Sequence, residues 1–319
     1  MTISSKILVT GAAGFIGSHT VDQLLAAGHE VWGVDNFRTG RRENLALAFP
    51  NPRFHFEELD VAVEPDFVGF VGKIKPDAII HLAALVSVPE SIANPALNER
   101  LNFQATKIVA EAARLHKVTR IVFASSAAVY GDPQTYPIDE DTVKNPLSPY
   151  GSAKLSSENL LFDYARTHGI TARCQRYFNV YGPRQDPRSP YSGVISIFLD
   201  HLVRKASPTI FGDGEQTRDF VYVHDVARAN TIAATSVGLT SGVVNICTGR
   251  AVSLNQLWRL LASDRPDCPA PIYAPLRPGD IQHSCGCTDL ARCSLGFKAR
   301  HNLAEGLRAL RGSASTRWT

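Results

Sequence analysis

The sequence predicts an α/β protein built on a doubly wound parallel sheet, with a smaller α/β lobe toward the carboxyl end. Three observations carry this reading. Short β-branched runs alternate with longer segments of helical period as far as residue 182, the pattern of βαβ units. A loop bearing Gly11, Gly14 and Gly17 lies between the first apolar run and the first helical one. Beyond Gly182 the texture changes, starting with the Pro- and Ser-rich stretch 183–192 (PRQDPRSPYS), which reads as a crossover or linker.

Taken in order, 6–10 (KILVT) is the first strand and 15–27 the helix after it. Residues 30–35 (EVWGVD) form a second strand and 53–56 a third. The run 77–82 (DAIIHL) is apolar enough for a central strand buried on both faces. A long helix at 98–115 leads to the strand 120–124 (RIVFA). Ser148-Pro149 then starts a helix, with Ser as N-cap and Pro as first helical residue. This helix runs to about 167, stops near Gly169, and is followed by a strand at 172–177. We therefore divide the chain into a larger domain at 1–182 and a smaller lobe that takes up most of 183–319. Within the latter, 219–248 is expected to return to the large sheet through the segments 219–234 and 243–247. Residues 312–319 are expected to fray, and there is no internal repeat.

Composition narrows the function. The 319 residues are 44% hydrophobic and 20% charged, which is ordinary for a globular protein. A net charge of +3 is too small and scattered to suggest nucleic acid. Arg38, Arg41 and Arg42 could suit a phosphate, although a basic loop is more often a solvated face. No apolar run approaches the ~18 residues of a membrane span, and no signal segment precedes the first strand. A cytoplasmic location is the expectation. The six cysteines include Cys285, Cys287 and Cys293, whose spacing matches no usual zinc site. They are expected to be reduced thiols, with Cys247 in the core and no metal bound.

The residues that suggest chemistry are Tyr150 and Lys154. Four residues on a helix bring both side chains to one face. A phenol with a pKa of about 10 is a poor base, and a neighbouring ammonium lowers that value. Alone this pairing is common. Its context is the loop G-x-x-G-x-x-G, where glycine lets backbone approach a pyrophosphate and the helix behind it presents N–H groups. Asp35 ends the second strand, placed to accept hydrogen bonds from an adenosine ribose and to repel a 2′-phosphate. NAD is therefore expected over NADP, with Arg38 as the opposing sign.

Further motifs follow in order: Asp35-Asn36-Phe37, Asp60-Val61, His81-Leu82-Ala83-Ala84, Asn102 and Ser125-Ser126-Ala127-Ala128-Val129-Tyr130-Gly131. Beyond Tyr150 and Lys154 come Arg176-Tyr177-Phe178-Asn179-Val180-Tyr181-Gly182, Gly212-Asp213-Gly214, Arg218-Asp219-Phe220-Val221 and Arg277-Pro278-Gly279-Asp280. With these the chain resembles, over nearly its whole length, the NAD-dependent epimerase/dehydratase family of extended short-chain dehydrogenase/reductases. Within that family it is most like the UDP-sugar 4-epimerases.

The resemblance implies a Rossmann-type fold, bound NAD and a UDP-sugar substrate. It implies that Asp60 and Val61 meet the adenine, and that Leu82, Ala83 and Ala84 line the way to the pyrophosphate. Gly11, Gly14, Phe15, Ile16, Gly17, Asp35, Asn36, Asn102, Tyr150, Lys154 and Tyr177 complete the cofactor set. It implies that Ser126 hydrogen-bonds the sugar hydroxyl to be oxidised, that Tyr150 takes its proton, and that Lys154 binds the nicotinamide ribose and lowers the Tyr150 pKa. Asn179, Phe211, Arg218, Arg277 and Asp280 would hold the nucleotide sugar, together with Val194 and Ile210. Val86, Val88 and Tyr130 read as pocket wall or packing, and His81 as a structural residue near the cofactor. Taken singly, Ser126 could cap a turn, Asn179 could pin a strand end and Arg277 could be a surface charge.

Related dehydratases carry an Asp–Glu pair where this chain has Ala127 and Ala128, and related decarboxylases carry Glu at the second position. Their absence leaves epimerisation at C4 as the expected outcome. Ser284 occupies the position of a tyrosine that excludes N-acetyl groups, so plain and N-acetylated hexoses are both expected substrates. The resemblance further implies a homodimer through the helices at 98–115 and 150–167. A uronic acid substrate, another dehydratase or dehydrogenase activity, and a non-catalytic NAD-binding scaffold are the alternatives.

Overall fold

The computed structural model of the protein describes residues 4–185, 193–263, 265, 267–276 and 281–314. The elements run β1 (Lys6–Thr10), α1 (Phe15–Ala26), β2 (Glu30–Asp35), β3 (Phe54–Glu58), α2 (Glu64–Ile74), β4 (Ala78–His81), α3 (Val88–Ala93) and α4 (Pro95–Asn98). Next come α5 (Ala105–Leu115), β5 (Arg120–Ser126), α6 (Pro149–His168) and β6 (Thr171–Tyr177). The remainder is β7 (Asn179–Tyr181), α7 (Val194–Val203), β8 (Thr209–Phe211), β9 (Thr217–Tyr222), α8 (Val223–Thr235), β10 (Gly242–Ile246), β11 (Ala251–Ser253), α9 (Leu254–Ala262), β12 (Ile272–Ala274), α10 (Asp289–Leu295) and α11 (Leu303–Ala314).

Seven strands form one sheet in the order β10-β6-β5-β4-β1-β2-β3, every pairing parallel. This is the doubly wound α/β arrangement expected. The chain moves from β1 outward to β3, then crosses back to place β4 on the other side of β1. The direction reverses between β1 and β4, so the crevice for a ligand opens at the carboxyl ends of those two strands. Strands buried on both faces need apolar side chains throughout, and Ala78, Ile79, Ile80 and His81 of β4 are all buried.

Each face of the sheet has its own core. One unites Val21 and Leu24 of α1 with Val226, Ala229 and Ala233 of α8 and Leu295 of α10. The other unites Phe67, Phe70 and Val71 of α2 with Val109 and Ala113 of α5 and Leu161 of α6. The α2 helix is absent from the sequence expectations, because Gly69 and Gly72 weaken its helical signal. Its buried aromatic residues decide the matter, and a β-carbon at Gly72 would lie 2.6 Å from the His116 ring. A third core, with Phe198, Leu202, Phe220, Leu257, Trp258 and Leu261, lies among later elements. Two small sheets accompany it, β11-β9-β7 and β12-β8.

Two details differ from expectation. The helix at 98–115 is α4 and α5 joined by a π-helical stretch, Glu99–Gln104. The segment 219–234 reaches the large sheet through α8, packed on α1, whereas Thr217–Tyr222 pairs with β7 and β11 instead. Buried Asp219 explains the detour. Its carboxylate accepts N–H bonds from Thr248 and Gly249, both at 2.9 Å, and from Gly286 at 3.2 Å.

The α6 helix starts as predicted, with Ser148 Oγ accepting the Gly151 N–H at 3.1 Å, and ends at Gly169 in the left-handed region. A buried ion pair then fixes it to the sheet. Arg176 of β6 donates to Glu158 of α6 from Nε at 2.9 Å and from Nη2 at 2.7 Å. Ser125 Oγ donates to the same carboxylate at 2.5 Å. Removing one partner of such a pair leaves an uncompensated buried charge. Arg176→Met should therefore lower the unfolding free energy by about 3–5 kcal/mol in denaturant melts at neutral pH. A loss below about 1 kcal/mol would show that α6 does not depend on the pair.

Candidate active site

The sheet's carboxyl edge opens into a cavity of about 810 Å³, within the usual span for ligand sites. On its floor the loop from Gly11 to Gly17 turns from β1 into α1. Gly11 has φ of +68°, and a β-carbon on it would lie 2.8 Å from the Ala83 nitrogen. A β-carbon on Gly17 would lie 1.9 Å from the Gly11 carbonyl oxygen. Only glycine permits this packing. Gly14 caps α1 without any side-chain hydrogen bond, leaving the helix N–H groups to face the cavity as an anion cradle.

Asp35 closes β2 beside this loop. Its carboxylate accepts the Ala13 N–H at 2.9 Å and the Phe37 N–H at 2.8 Å. Burial raises its pKa, and the two backbone donors oppose that shift. On the other side of β1, Thr10 Oγ1 accepts the N–H groups of Leu82 at 3.1 Å and Ala83 at 3.2 Å. It also bonds His81 Nδ1 at 2.8 Å, while His81 Nε2 meets Thr106 Oγ1 at 3.2 Å. Thr106 donates to the Asn102 carbonyl at 2.6 Å, so its oxygen is left to accept from Nε2–H. The network thus assigns the Nε2–H tautomer, and burial, aided by the Lys154 charge, lowers the His81 pKa to about 3. His81 is a neutral structural residue that sets the shape of the pocket wall.

Ser126, at the end of β5, caps the following turn by accepting the Ala128 N–H at 3.2 Å. The same hydroxyl lies near the Tyr150 phenol and favours its ionised form. Tyr150 occupies the first turn of α6, with its N–H directed to Ser91 Oγ at 3.3 Å. Lys154 lies one turn on, its Nζ 4.7 Å from the Phe123 ring centre and 5.8 Å from that of Tyr150. Ser126, Tyr150 and Lys154 thus meet at one end of the cavity.

Their electrostatics depart from the sequence expectation. Burial raises the Tyr150 pKa, with the Ser126 hydroxyl opposing it, so the phenol is not lowered by Lys154 in the protein alone. Burial also lowers Lys154 to about 7, against the pull of the Glu158 charge. The physical reason is desolvation, which penalises phenolate and ammonium alike.

The cavity gathers most of the residues singled out by sequence. Gly11, Gly14, Phe15, Ile16, Gly17, Asp35 and Asn36 line one part. Asp60, Val61, Leu82, Ala83, Ala84 and Val86 line another, and Ser126, Tyr150, Lys154, Tyr177 and Asn179 a third. Asn102 lies behind the wall. Its side-chain amide exchanges two 3.0 Å bonds with the Leu85 backbone and holds the loop after β4. Ile210 is buried in the third core rather than facing the cavity. Val194 opens α7 directly after Gly193, which does line the cavity. Phe211 ends β8, and its carbonyl accepts from Gln216 at 2.6 Å. Arg218 lies near Tyr136, whose hydroxyl donates to the His283 carbonyl at 3.1 Å, next to buried Ser284. Arg277 and Asp280 lie outside the described residues.

The cavity also includes residues that carried no motif, among them Gly40, Asn44, Arg184 and Gln185. Asn44 donates to the Ala13 carbonyl at 2.8 Å and so supports the glycine loop from outside. Nothing in its sequence surroundings marks it, since its partner is 31 residues away. Among the described residues there is no group of His, Cys, Asp or Glu suited to a metal ion, and no helix long and apolar enough to cross a membrane.

Residues 7–247 match the NAD dependent epimerase/dehydratase family. A UDP-glucose 4-epimerase of Mycolicibacterium smegmatis is 40% identical over 303 residues, covering 95% of this chain and 96% of the relative. The solved UDP-glucose 4-epimerase of Thermotoga maritima, with UDP-glucose, superposes with a TM-score of 0.92 at 37% identity, covering 98% of this chain and 100% of that one. A UDP-N-acetylglucosamine 4-epimerase of Methanobrevibacter ruminantium, with UDP-N-acetylmuramic acid, gives a TM-score of 0.92 at 34% identity, covering 99% and 100%.

The buried lysine generates a stability prediction. Between pH 7 and 10 the unfolded chain keeps a proton on Lys154 that the folded chain has largely released. Folding therefore gains from rising pH in this window. Lys154→Met should remove that increment. Thermal melts of cofactor-free protein at pH 7 and pH 9 check this: parallel behaviour of variant and parent would overturn it.

Proposed function

The chain belongs to the NAD dependent epimerase/dehydratase family, and from that premise we propose that it is an isomerase that epimerises UDP-sugars at C4 through a transient 4-keto sugar, with NAD as cofactor. The observation that carries the proposal is the joint placement of Ser126, Tyr150 and Lys154 beside Ala127 and Ala128. Tyr150 takes the C4 hydroxyl proton and returns it, and Ser126 holds the oxygen between them. Lys154 holds the ribose next to the phenol. Bound NAD would supply the reversible oxidation and a positive ring that favours the phenolate. Ala127 and Ala128 offer no acid or base to drive elimination, so rotation of the keto sugar and reduction on its other face is the remaining course.

The glycine cradle fits the pyrophosphate of NAD, and Asp35 fits the adenosine ribose. The part of the cavity near Asn179 and Tyr177 receives the sugar. Serine at position 284, smaller than the tyrosine that excludes N-acetyl groups in related enzymes, supports turnover of both UDP-glucose and UDP-N-acetylglucosamine. A homodimer through the outer surfaces of α5 and α6 is part of the same reading. These helices already share a face, where the Tyr164 hydroxyl donates to Glu111 at 3.1 Å.

A panel of UDP-glucose, UDP-galactose, their N-acetyl forms and UDP-glucuronate, with each product resolved, tests the activity. Tyr150→Phe should lower kcat about a hundredfold or more while the fold is retained. Absence of turnover on every UDP-sugar would refute the enzyme reading. Ser284→Tyr should suppress turnover of the N-acetyl substrates and spare the plain hexoses. If the parent protein epimerises UDP-glucose yet leaves UDP-N-acetylglucosamine untouched, the role given to Ser284 is wrong.

A further inference from the structure

Arg38 stands three residues past Asp35, where a guanidinium can hold the 2′-phosphate of NADP. The loop that carries it is wound tightly about the acid. A β-carbon on Gly40 would lie 2.8 Å from both Asp35 carboxylate oxygens, Asn36 Oδ1 accepts the Arg38 N–H at 3.1 Å, and Arg38 lines the cavity. By position alone it offers a phosphate-binding cation beside the ribose pocket.

The fold directs that cation elsewhere. The Arg38 guanidinium donates to the carboxylate of Glu90, 52 residues further along the chain. Glu90 is held in α3, where its N–H is capped by Ser87 Oγ at 3.0 Å. The α3 helix is in turn tied to the start of α6, because Ser91 Oγ accepts the Tyr150 N–H. The acid is therefore carried by an anchored helix and reaches across from the loop after β4 to the loop after β2.

We propose that Glu90 is a cofactor-specificity residue, which engages Arg38 and withholds from NADP the cation that would offset the repulsion of Asp35. Discrimination then rests on two carboxylates with different tasks. Asp35 accepts the ribose hydroxyls, and Glu90 removes the partner that a 2′-phosphate would need. Specificity of this kind comes from disfavouring the wrong ligand as much as from binding the right one. The inference concerns the cofactor and is independent of which UDP-sugar is turned over. The two side chains are 34% and 21% exposed, and a pair this open adds little to stability, so its removal leaves the fold intact.

Full-length protein equilibrated with equimolar NAD and NADP, freed of unbound nucleotide and then denatured, yields the ratio of the two cofactors bound. Glu90→Gln should raise the NADP share relative to NAD roughly fivefold, with an unchanged melting temperature. In an Arg38→Ala background the same substitution should change nothing, because the cation it releases is gone. An unchanged ratio in Glu90→Gln would overturn the proposal. So would a rise that survives the loss of Arg38, or an equal gain for both nucleotides.

Discussion

The helix bearing Tyr150 and Lys154 is held by a charged pair shielded from water. Glu158 and Arg176 join α6 to β6, and neighbouring residues on both partners belong to the site. Lys154 lies one turn before Glu158, Tyr177 follows Arg176, and Ser126 follows Ser125, which binds the same carboxylate. Displacing the pair would therefore disturb Ser126, Tyr150, Lys154 and Tyr177 together. The network extends outward as well. Arg176 donates to the Tyr130 hydroxyl at 2.9 Å, Tyr130 donates to Asn245 at 2.7 Å, and the Asn245 N–H donates to Glu140 at 2.6 Å. This chain connects α6 to the edge strand β10. Buried networks of this kind are favourable only when each member is satisfied, which makes their geometry demanding and hence specific.

The same burial that orients these groups shifts their protonation. Tyr150 is raised and Lys154 falls to about 7, both through desolvation. In the protein alone the pair is thus a neutral phenol beside an amine whose charge burial disfavours. His81, lowered to about 3, shows the other use of burial: a ring kept neutral so that it can accept at one nitrogen and donate at the other.

Backbone contact sets the opposite wall. The glycine loop is pressed against its own carbonyl at Gly11 and against the Leu82–Ala83 backbone, so the ligand floor is built from peptide groups rather than side chains. That floor lies at the reversal point of the sheet, where β1 and β4 diverge into different loops. Polar side chains from distant segments, Asn44 below Ala13 and Asn102 beside Leu85, keep the two loops in place.

Much of this was readable in the order of residues. Alternating periodicity marks β1, α1, β2, β4, β5 and β6, and the cap Ser148-Pro149 marks the start of α6. Gly11, Gly17, Asp35, Tyr150 and Lys154 line one cavity, and their placement is legible because local spacing and backbone geometry decide it. Other features depend on partners far away in the chain. The α2 helix hides its propensity behind two glycines, the segment at 217–222 leaves the large sheet for the sake of Asp219, and Ile210 turns into a core instead of a pocket. The protonation of Lys154 and the pairing of Arg38 with Glu90 belong to the same class. Local spacing specifies elements and motifs because those interactions span only a few residues. Charge state, burial and long-range pairing arise when the chain closes on itself, since desolvation and ion pairing are properties of the assembled neighbourhood.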